Sequence, residues 1–277
     1  MLGTIWCLHG AVGMAEDWRD FSVPGWAVKR VDLWRFLDCC PMDLAEFGAA
    51  LNREAEATQG RKVLLGYSMG GRLALHALLA GRDERPRSSE SAIGGNGPRT
   101  SGGARPYRGS WDAAVIVSAH PGLEDETQRA ERREKDAEWA AKALKGEWSE
   151  FLAEWNAQAV LATSDAELKM GDRGKLEVRR NSVARSFMDW SLGAQAPLWN
   201  RLGRIACPVL WVAGERDTKF RELAERVASA GAGRSGHGLE RDAPATLWIA
   251  PGAGHRVPWE SGIFASKVGE FLERRLS

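Results

Sequence analysis

The sequence predicts an open α/β fold, in which helices cover both faces of a mostly parallel sheet. Short apolar runs, most of them rich in Val, Ile, Leu or Trp, alternate with longer helical segments. Strands that alternate with helices form parallel sheets, because each helix carries the chain back to the start of the next strand. With 277 residues, 44% of them hydrophobic, the chain can bury a sizeable core.

Six apolar runs are the predicted strands, and each is too short to be a helix. They cover residues 4–8, 27–31, 62–66, 113–118, 209–213 and 245–249. The helices predicted between and after them cover 43–58, 69–80, 221–230 and 263–275. The helix at 69–80 is apolar nearly all round, so we expect it to be buried.

Residues 123–200 interrupt the alternation, since they show helical pattern without a strand. We predict a helical cap here, inserted into a core made of residues 1–122 and 201–277. Such a cap would cover the carboxyl edge of the sheet, where open α/β proteins place their sites. Residues 83–110 are rich in Gly, Ser and Arg and predict a flexible insertion, with a milder case at 229–244. The arginines of 83–110 also suggest an RNA-binding tail, but a solvated insertion is favoured, because the segment has little aromatic interleaving and no packed basic helix.

Charge and cysteine content narrow the class of protein. The 38 basic and 37 acidic residues nearly cancel, which argues against general binding to nucleic acid or an anionic membrane. The first residues, MLGTIWCLHG, carry no secretory signal or membrane span, so we expect a cytoplasmic protein. The four cysteines lack the spacing of a zinc site, and no metal is predicted. Cys39 and Cys40 are interpreted as small buried apolar thiols, kept reduced.

The segment LLGYSMGGRLALH carries a serine in the pattern Gly66-x-Ser68-x-Gly70. The pattern follows a predicted strand and opens a predicted helix, the context in which G-x-S-x-G forms a nucleophile elbow. Asp217 follows the fifth strand, and His255 lies in a Gly-rich loop after the sixth. Serine, acid and histidine in this order form a catalytic triad in this type of fold, although each residue alone would also fit a loop or cap role.

Negative charge beside the serine would need two backbone N–H donors. The pattern assigns one to Met69, directly after Ser68, and the other to Ala11 in the loop LHGAVG after the first strand. His9 in that loop is interpreted as a structural histidine, and His237 in the second Gly-rich segment receives no role.

These motifs resemble the α/β-hydrolase superfamily. Within it, the chain is similar to the 2-succinyl-6-hydroxy-2,4-cyclohexadiene-1-carboxylate (SHCHC) synthases of menaquinone biosynthesis. The resemblance runs nearly end to end and is carried by LHGAVG with Trp18, GYSMGGRLALH, SAHPGL, the spacing of Arg132, Asp136 and Trp139, GAQAPLW, GERDTKF and GAGH.

The resemblance implies a lyase that eliminates pyruvate from a small polyanionic substrate. Ser68 would then act as a base rather than as an acylated nucleophile, and no metal or organic cofactor would be needed. Arg72 and Arg132 would bind substrate carboxylates, with Tyr67 and Trp155 also lining the site. From the residues alone, Arg72 also fits a surface salt bridge, and Arg132 an ion pair with Asp136 one helical turn away.

Some positions depart from the family pattern. Asn156 and Ala159 replace a tyrosine and a proline. A further family arginine has three candidates, Lys175, Arg179 and Arg180, and the choice stays open. Two other functions also stay open: a serine hydrolase acting on an ester, thioester or carbon–carbon bond, and a ligand receptor or scaffold on a retained hydrolase fold. The oligomeric state is not predicted.

Overall fold

The computed structural model describes residues 1–80, 110–161, 171–232 and 245–277. Six parallel strands form a single sheet in the order β2-β1-β3-β4-β5-β6, which confirms the predicted fold class. The strands are β1 (Gly3–Leu8), β2 (Trp26–Val31), β3 (Arg61–Tyr67), β4 (Ala113–Val117), β5 (Val209–Gly214) and β6 (Thr246–Ala250). The predicted insertions at 83–110 and 229–244 lie mostly outside the described residues, and so does His237.

The sheet is buried on both faces, and strand β1 shows how. Ile5 and Cys7 point into one hydrophobic cluster, while Trp6 and Leu8 point into another on the opposite face. Successive side chains of a strand alternate between the two faces, so a strand covered on both sides is apolar at every position. This explains why the strands were recognisable as continuous apolar runs.

Eight α-helices lie within the described ranges. They are α1 (Leu44–Glu56), α2 (Met69–Leu79), α3 (Glu126–Lys145), α4 (Trp148–Asn156), α5 (Arg180–Asp189), α6 (Thr218–Ala232), α7 (Val257–Glu260) and α8 (Phe264–Leu276). Helix α1 begins after Asp43, whose side chain accepts the backbone N–H of Glu46 in a capping box. Helix α2 is buried along most of its length, as its composition predicts.

Helices α3, α4 and α5 lie between β4 and β5, and the described part of 123–200 contains no strand. An aromatic cluster of Trp139, Phe151, Trp155 and Phe187 holds these three helices together. The division of the chain into a core and a cap stays a prediction.

The cysteines differ in their surroundings. Cys7 is buried in β1, as a small apolar thiol would be. Cys39 and Cys40 are exposed, with their Sγ atoms 3.2 Å apart, so the interpretation of this pair as buried was wrong. They lie in the loop between the short 3₁₀ helix Trp34–Phe36 and α1. They therefore do not belong to a strand or a helix that would direct their side chains into the core.

Across the described ranges, no helix is both long enough and apolar enough to cross a membrane.

Candidate active site

Ser68 stands between β3 and α2, at the carboxyl edge of the sheet. Its backbone has φ 54° and ψ −112°, a conformation that costs free energy for a residue with a side chain. The turn fits because its neighbours are glycines: a Cβ at Gly70 would lie 2.5 Å from the carbonyl oxygens of Leu8 and His9. The serine does not cap the helix with its own side chain, although serine often does so. Its hydroxyl is therefore left for another partner.

That partner is His255, and the contact continues to Asp217. The Ser68 Oγ lies 3.1 Å from His255 Nε2, and His255 Nδ1 lies 2.6 Å from Asp217 Oδ2. Asp217 and His255 are 8% and 5% exposed, so the pair is shielded from solvent. Asp217 follows β5 and His255 follows β6, so two loops at one sheet edge bring the three residues together. A base that touches a hydroxyl and is oriented by a buried carboxylate is the arrangement of a catalytic triad.

Backbone strain is concentrated around this serine. The non-glycine residues with positive φ in the described ranges are Val12, Ser68 and Ser118, and all three line the same cavity. Val12 is the most unusual of them, because a β-branched side chain is rarely tolerated at positive φ. The Oγ atom of Ser118 is buried without a hydrogen-bond partner among the described residues. Strained and unsatisfied groups at one place are typical of functional sites.

Two backbone amides without an acceptor among the described residues belong to the cavity lining beside Ser68. Ala11 and Met69 both line it, and neither N–H has a hydrogen-bond acceptor within the part of the chain that the structure describes. Met69 is the first residue of α2, so its N–H also lies at the positive end of the helix dipole. The pair has the character of an oxyanion hole. His9 lies behind the loop: its Nδ1 contacts the Gly10 carbonyl and its Nε2 accepts the Leu33 N–H. Burial lowers the pKa of His9, which fits a neutral structural histidine.

The cavity has a volume of about 210 Å³ and a strongly one-sided charge. Its described lining contains no aspartate or glutamate. Five basic side chains line it: Arg72, Arg132, Arg173, Lys219 and Arg256. A cavity of this kind favours an anionic ligand.

Arg72 lies on α2, one turn after Ser68, and is 8% exposed. Its guanidinium donates to the Trp190 carbonyl oxygen at 2.7 Å and to Gln195 Oε1 at 3.2 Å, both neutral acceptors. Burial, with repulsion from Arg132, lowers the pKa of Arg72 to about 9, so the side chain is still a cation at pH 7. The alternative of a surface salt bridge is wrong, because the side chain is buried and has no carboxylate partner among the described residues.

Arg132 lies on α3, where it forms the ion pair considered for it and also reaches the cavity. Its Nε donates to Asp136 Oδ1 at 2.9 Å, and it also lines the cavity. Asp136 is held from its other side by the Ser191 hydroxyl at 2.7 Å, so the arginine is well oriented. Its neighbours Arg129 and Arg133 hydrogen-bond to the Gly193 carbonyl instead and do not line the cavity.

Tyr67 and Trp155 complete the predicted set. Trp155 lines the cavity from α4 and packs edge-on against Trp139. Tyr67 precedes the serine, and its ring lies 5.5 Å from that of His255. Burial raises the pKa of Tyr67, so its hydroxyl stays protonated at neutral pH. All the site residues that the sequence predicted, except the buried acid Asp217 behind His255, therefore line one cavity.

Sequence reasoning missed several polar residues of the cavity, among them Lys219, His120, Arg173 and Arg256. Lys219 lies in the first turn of α6, and its signal in the sequence is its place in GERDTKF, two residues after Asp217. Burial and repulsion from Arg132 lower its pKa. His120 accepts the Gly122 N–H through Nδ1, and burial lowers its pKa to about 4, so it is neutral with its proton on Nε2.

Arg173 and Arg256 had no comparable signal. Arg173 forms a bidentate ion pair with Asp17, which is distant in sequence. The three candidates for a further family arginine do not line the cavity: Lys175, Arg179 and Arg180. Arg179 pairs with Asp38 instead. In the described ranges, no group of three or more His, Cys, Asp or Glu side chains is arranged to hold a metal ion.

Known structures share this fold. MenH from S. aureus superposes with a TM-score of 0.71 over 100% of this chain and 96% of its own, at 18% identity. A thermophilic esterase from Thermogutta terrifontis gives 0.67 over 100% and 91%, at 19% identity. At these identities the likeness shows the α/β-hydrolase fold alone.

Sequence comparison is more specific, although no protein-family model matches the chain. The SHCHC synthase of Pectobacterium atrosepticum is 32% identical over 79% of this chain and 79% of its own length. That of Klebsiella pneumoniae is 29% identical over 87% and 88%. With this identity over most of both lengths, and with the elbow, the triad geometry and the basic cavity in one place, the chain belongs to the family of 2-succinyl-6-hydroxy-2,4-cyclohexadiene-1-carboxylate synthases.

Proposed function

We propose that this enzyme converts 2-succinyl-5-enolpyruvyl-6-hydroxy-3-cyclohexene-1-carboxylate into SHCHC and pyruvate, a step of menaquinone biosynthesis. One observation carries the proposal: a hydrogen-bonded Ser68–His255–Asp217 chain opens on a cavity whose described charged lining is entirely basic. The substrate has three carboxylates, so it needs such a lining. An ordinary uncharged ester does not.

The reaction is a 1,4-elimination across the ring. A base removes the proton from C2, which is acidic because the succinyl ketone is attached there. The electron pair of that C–H bond forms the C2–C3 double bond, and the C3–C4 double bond moves to C4–C5. The C–O bond at C5 breaks, and the enolpyruvyl oxygen leaves with that electron pair. Protonation of the departing enolate at carbon then gives pyruvate, so the proton balance closes without a redox partner.

In this scheme Ser68 is the base. Its Oγ takes the C2 proton while its own proton passes to His255 Nε2, 3.1 Å away. Asp217 at 2.6 Å from Nδ1 stabilises the resulting imidazolium. The proton held on His255 is then available for the departing enolpyruvyl group.

Negative charge develops on the ketone oxygen as the C2 proton leaves. The N–H groups of Ala11 and Met69 supply the oxyanion hole for this charge, which is supported by their position and by their lack of other acceptors among the described residues. Arg72 and Arg132 bind substrate carboxylates, and Tyr67 and Trp155 form the walls against the ring. The neutral hydrogen bonds of Arg72 hold its guanidinium in place without cancelling its charge.

A serine hydrolase remains the second candidate. The same triad and the same free amides would serve acyl transfer, and the esterase from Thermogutta terrifontis has the same fold. In that case Ser68 would be acylated during turnover, and mass spectrometry with a slow ester substrate would show the adduct.

Pyruvate release decides between the two. The purified enzyme, mixed with the enolpyruvyl substrate and coupled to lactate dehydrogenase, should release pyruvate well above the rate in buffer alone. Ser68→Ala should abolish this excess, and simple esters should turn over slowly or not at all. Fast ester hydrolysis without pyruvate release would overturn the proposal in favour of the hydrolase. A biological function that survives Ser68→Ala would instead favour a receptor or scaffold.

The proposal extends to partners and location. The ligand is a small polyanion rather than a nucleic acid, and the cytoplasm is the proposed compartment. The four cysteines, all of which are free thiols, support that compartment.

A further inference from the structure

Arg256 carries a buried positive charge that the described residues leave without a carboxylate. The residue is 5% exposed, and its Nη2 donates to the neutral amide oxygen of Asn156 at 2.9 Å. Glu260 is close, but it accepts the backbone N–H of Arg256 and pairs with the side chain of Arg216. A buried guanidinium is costly unless an anion compensates it. Its surroundings in the free protein are therefore suited to receiving an anion.

Arg173 provides an internal contrast. It lines the same cavity, but both of its terminal nitrogens are paired with Asp17, at 2.6 and 2.9 Å. Asp17 is itself buried and accepts backbone N–H groups as well. The charge of Arg173 is thus already compensated by the carboxylate of Asp17, whereas the described residues provide no carboxylate for Arg256.

The position of Arg256 suits a ligand that extends along the cavity. The cavity adjoins a second, outer depression, and the residues that line both are Leu152, Asn156, Arg173 and Arg256. Arg256 directly follows His255 in the loop after β6, while Arg72 and Arg132 come from α2 and α3. The basic groups therefore reach the cavity from different elements, as the recognition of several separate carboxylates requires.

We infer that Arg256 binds a second carboxylate of the substrate, distinct from the one at Arg72, and that Asn156 positions its guanidinium. The identity of the substrate rests on the proposed function. The ligand class, a compound with two separated carboxylates, is independent of that function. Asn156 stands where the family motif has tyrosine. The hydrogen bond that holds Arg256 is therefore made by a residue at which this chain differs from the family motif.

A stable diacid allows a test without turnover. Loss of water from SHCHC gives 2-succinylbenzoate, an aromatic compound that keeps the ring carboxylate, the succinyl ketone and the terminal carboxylate. Its affinity, and that of its two methyl monoesters, is measured by titration calorimetry for the wild type and for Arg256→Gln. Arg216→Gln is the matched control, since that arginine is exposed, forms an ion pair with Glu260 and lies outside the cavity lining.

In the wild type, each monoester should bind roughly 10-fold or more weakly than the diacid. In Arg256→Gln, the diacid should lose roughly 10- to 100-fold in affinity, and one of the two monoesters should bind about as well as the diacid. The control should match the wild type. The inference is overturned by diacid affinity that is unchanged in Arg256→Gln, by both monoesters keeping their full penalty in that variant, or by a wild type that does not bind the diacid.

The variant Asn156→Asp distinguishes a ligand-binding role of Arg256 from a purely structural role. The substitution keeps the shape but places a carboxylate against Arg256, where it competes with the ligand. We expect roughly 10-fold weaker diacid binding with an unchanged or raised Tm. If Arg256 served only to fasten α4 to the loop after β6, the new ion pair would leave diacid binding unchanged, and the inference would fail.

Pyruvate release by the wild type, measured on the same preparation, tests the proposed function separately. Absence of pyruvate release with intact diacid discrimination would refute the reaction alone.

Discussion

The hydrogen bonds of Asp217 predict how its replacement by asparagine should act. Asp217 Oδ2 lies 2.6 Å from His255 Nδ1, and Oδ1 accepts the backbone N–H of Phe220 at 3.4 Å. In Asp217→Asn, the amide oxygen is drawn to the Phe220 N–H, which turns the NH₂ group towards Nδ1. The imidazole then carries its proton on Nε2, and that nitrogen no longer accepts the proton of Ser68.

The magnitude follows from the loss of the base. A triad whose histidine is held in the wrong tautomer loses about 10⁴-fold in kcat, which corresponds to about 5.4 kcal/mol at about 1.36 kcal/mol for each factor of ten. The fold loses less, about 1 to 3 kcal/mol, because a single charge-assisted hydrogen bond is weakened. KM should change little, since the carboxylate does not line the cavity.

Steady-state pyruvate release and urea unfolding measure the two effects on the same preparation. Glu215→Gln is the matched control, because this exposed carboxylate lies in the same loop and accepts only the Gly252 N–H among the described residues. The control should keep its kcat within about threefold. A folded Asp217→Asn variant with kcat within tenfold of the wild type would refute the assignment of Asp217 as the acid that orients His255.

Three further outcomes are expected. The free energy of unfolding should decrease as the pH falls from about 6.5 to about 4, because the folded-state pKa of His120 is lowered to about 4 and the unfolded chain binds the proton first. His120→Asn keeps an acceptor near the Nδ1 position. Urea titrations should show that this variant loses roughly 3 kcal/mol less free energy of unfolding over the same pH range. The same pH dependence in the variant and the wild type would contradict this. A thiol reagent such as DTNB should label Cys39 and Cys40 in the native enzyme and Cys7 only after denaturation, because Cys7 is buried and burial raises its pKa; rapid native labelling of Cys7 would be inconsistent with its place in β1. Asp17→Asn leaves a buried guanidinium without its carboxylate and should lower the free energy of unfolding by roughly 3 kcal/mol, a value that a change below 1 kcal/mol in denaturant titration would refute.

The parts of the site that follow directly from a strand could be predicted from the sequence. Ser68, Asp217 and His255 each lie in a short loop after an apolar run, and parallel strands bring their carboxyl ends to one edge. The positions of Arg72 and Met69 beside the cavity follow from their distance to Ser68 along a helix. Local sequence therefore determines where these residues lie, and their catalytic roles remain proposals.

The remaining cavity residues depend on contacts between distant segments. Arg173 reaches the cavity because Asp17 holds it from far away in the chain, and neither residue carries a recognisable motif. Arg256 is adjacent to His255, but its guanidinium is hydrogen-bonded to Asn156 on α4, which is distant in sequence. The exposure of Cys39 was misjudged for a related reason: composition favours a buried thiol, whereas the loop that carries it turns outward.

The sheet also separates the candidate catalytic residues from the edge at which its strands begin. Ser68, Asp217 and His255 follow the carboxyl ends of strands, whereas β4 and β6 begin at the opposite edge, with Ala113 and Thr246. Helix α2 runs back from Ser68 to Ala80, and Ser110 shortly precedes β4, so an affinity tag or a fluorescent reporter joined between these two residues would be attached at the edge of the sheet away from Ser68. The fold thus offers a position for labelling or immobilising the enzyme at the edge opposite the candidate triad.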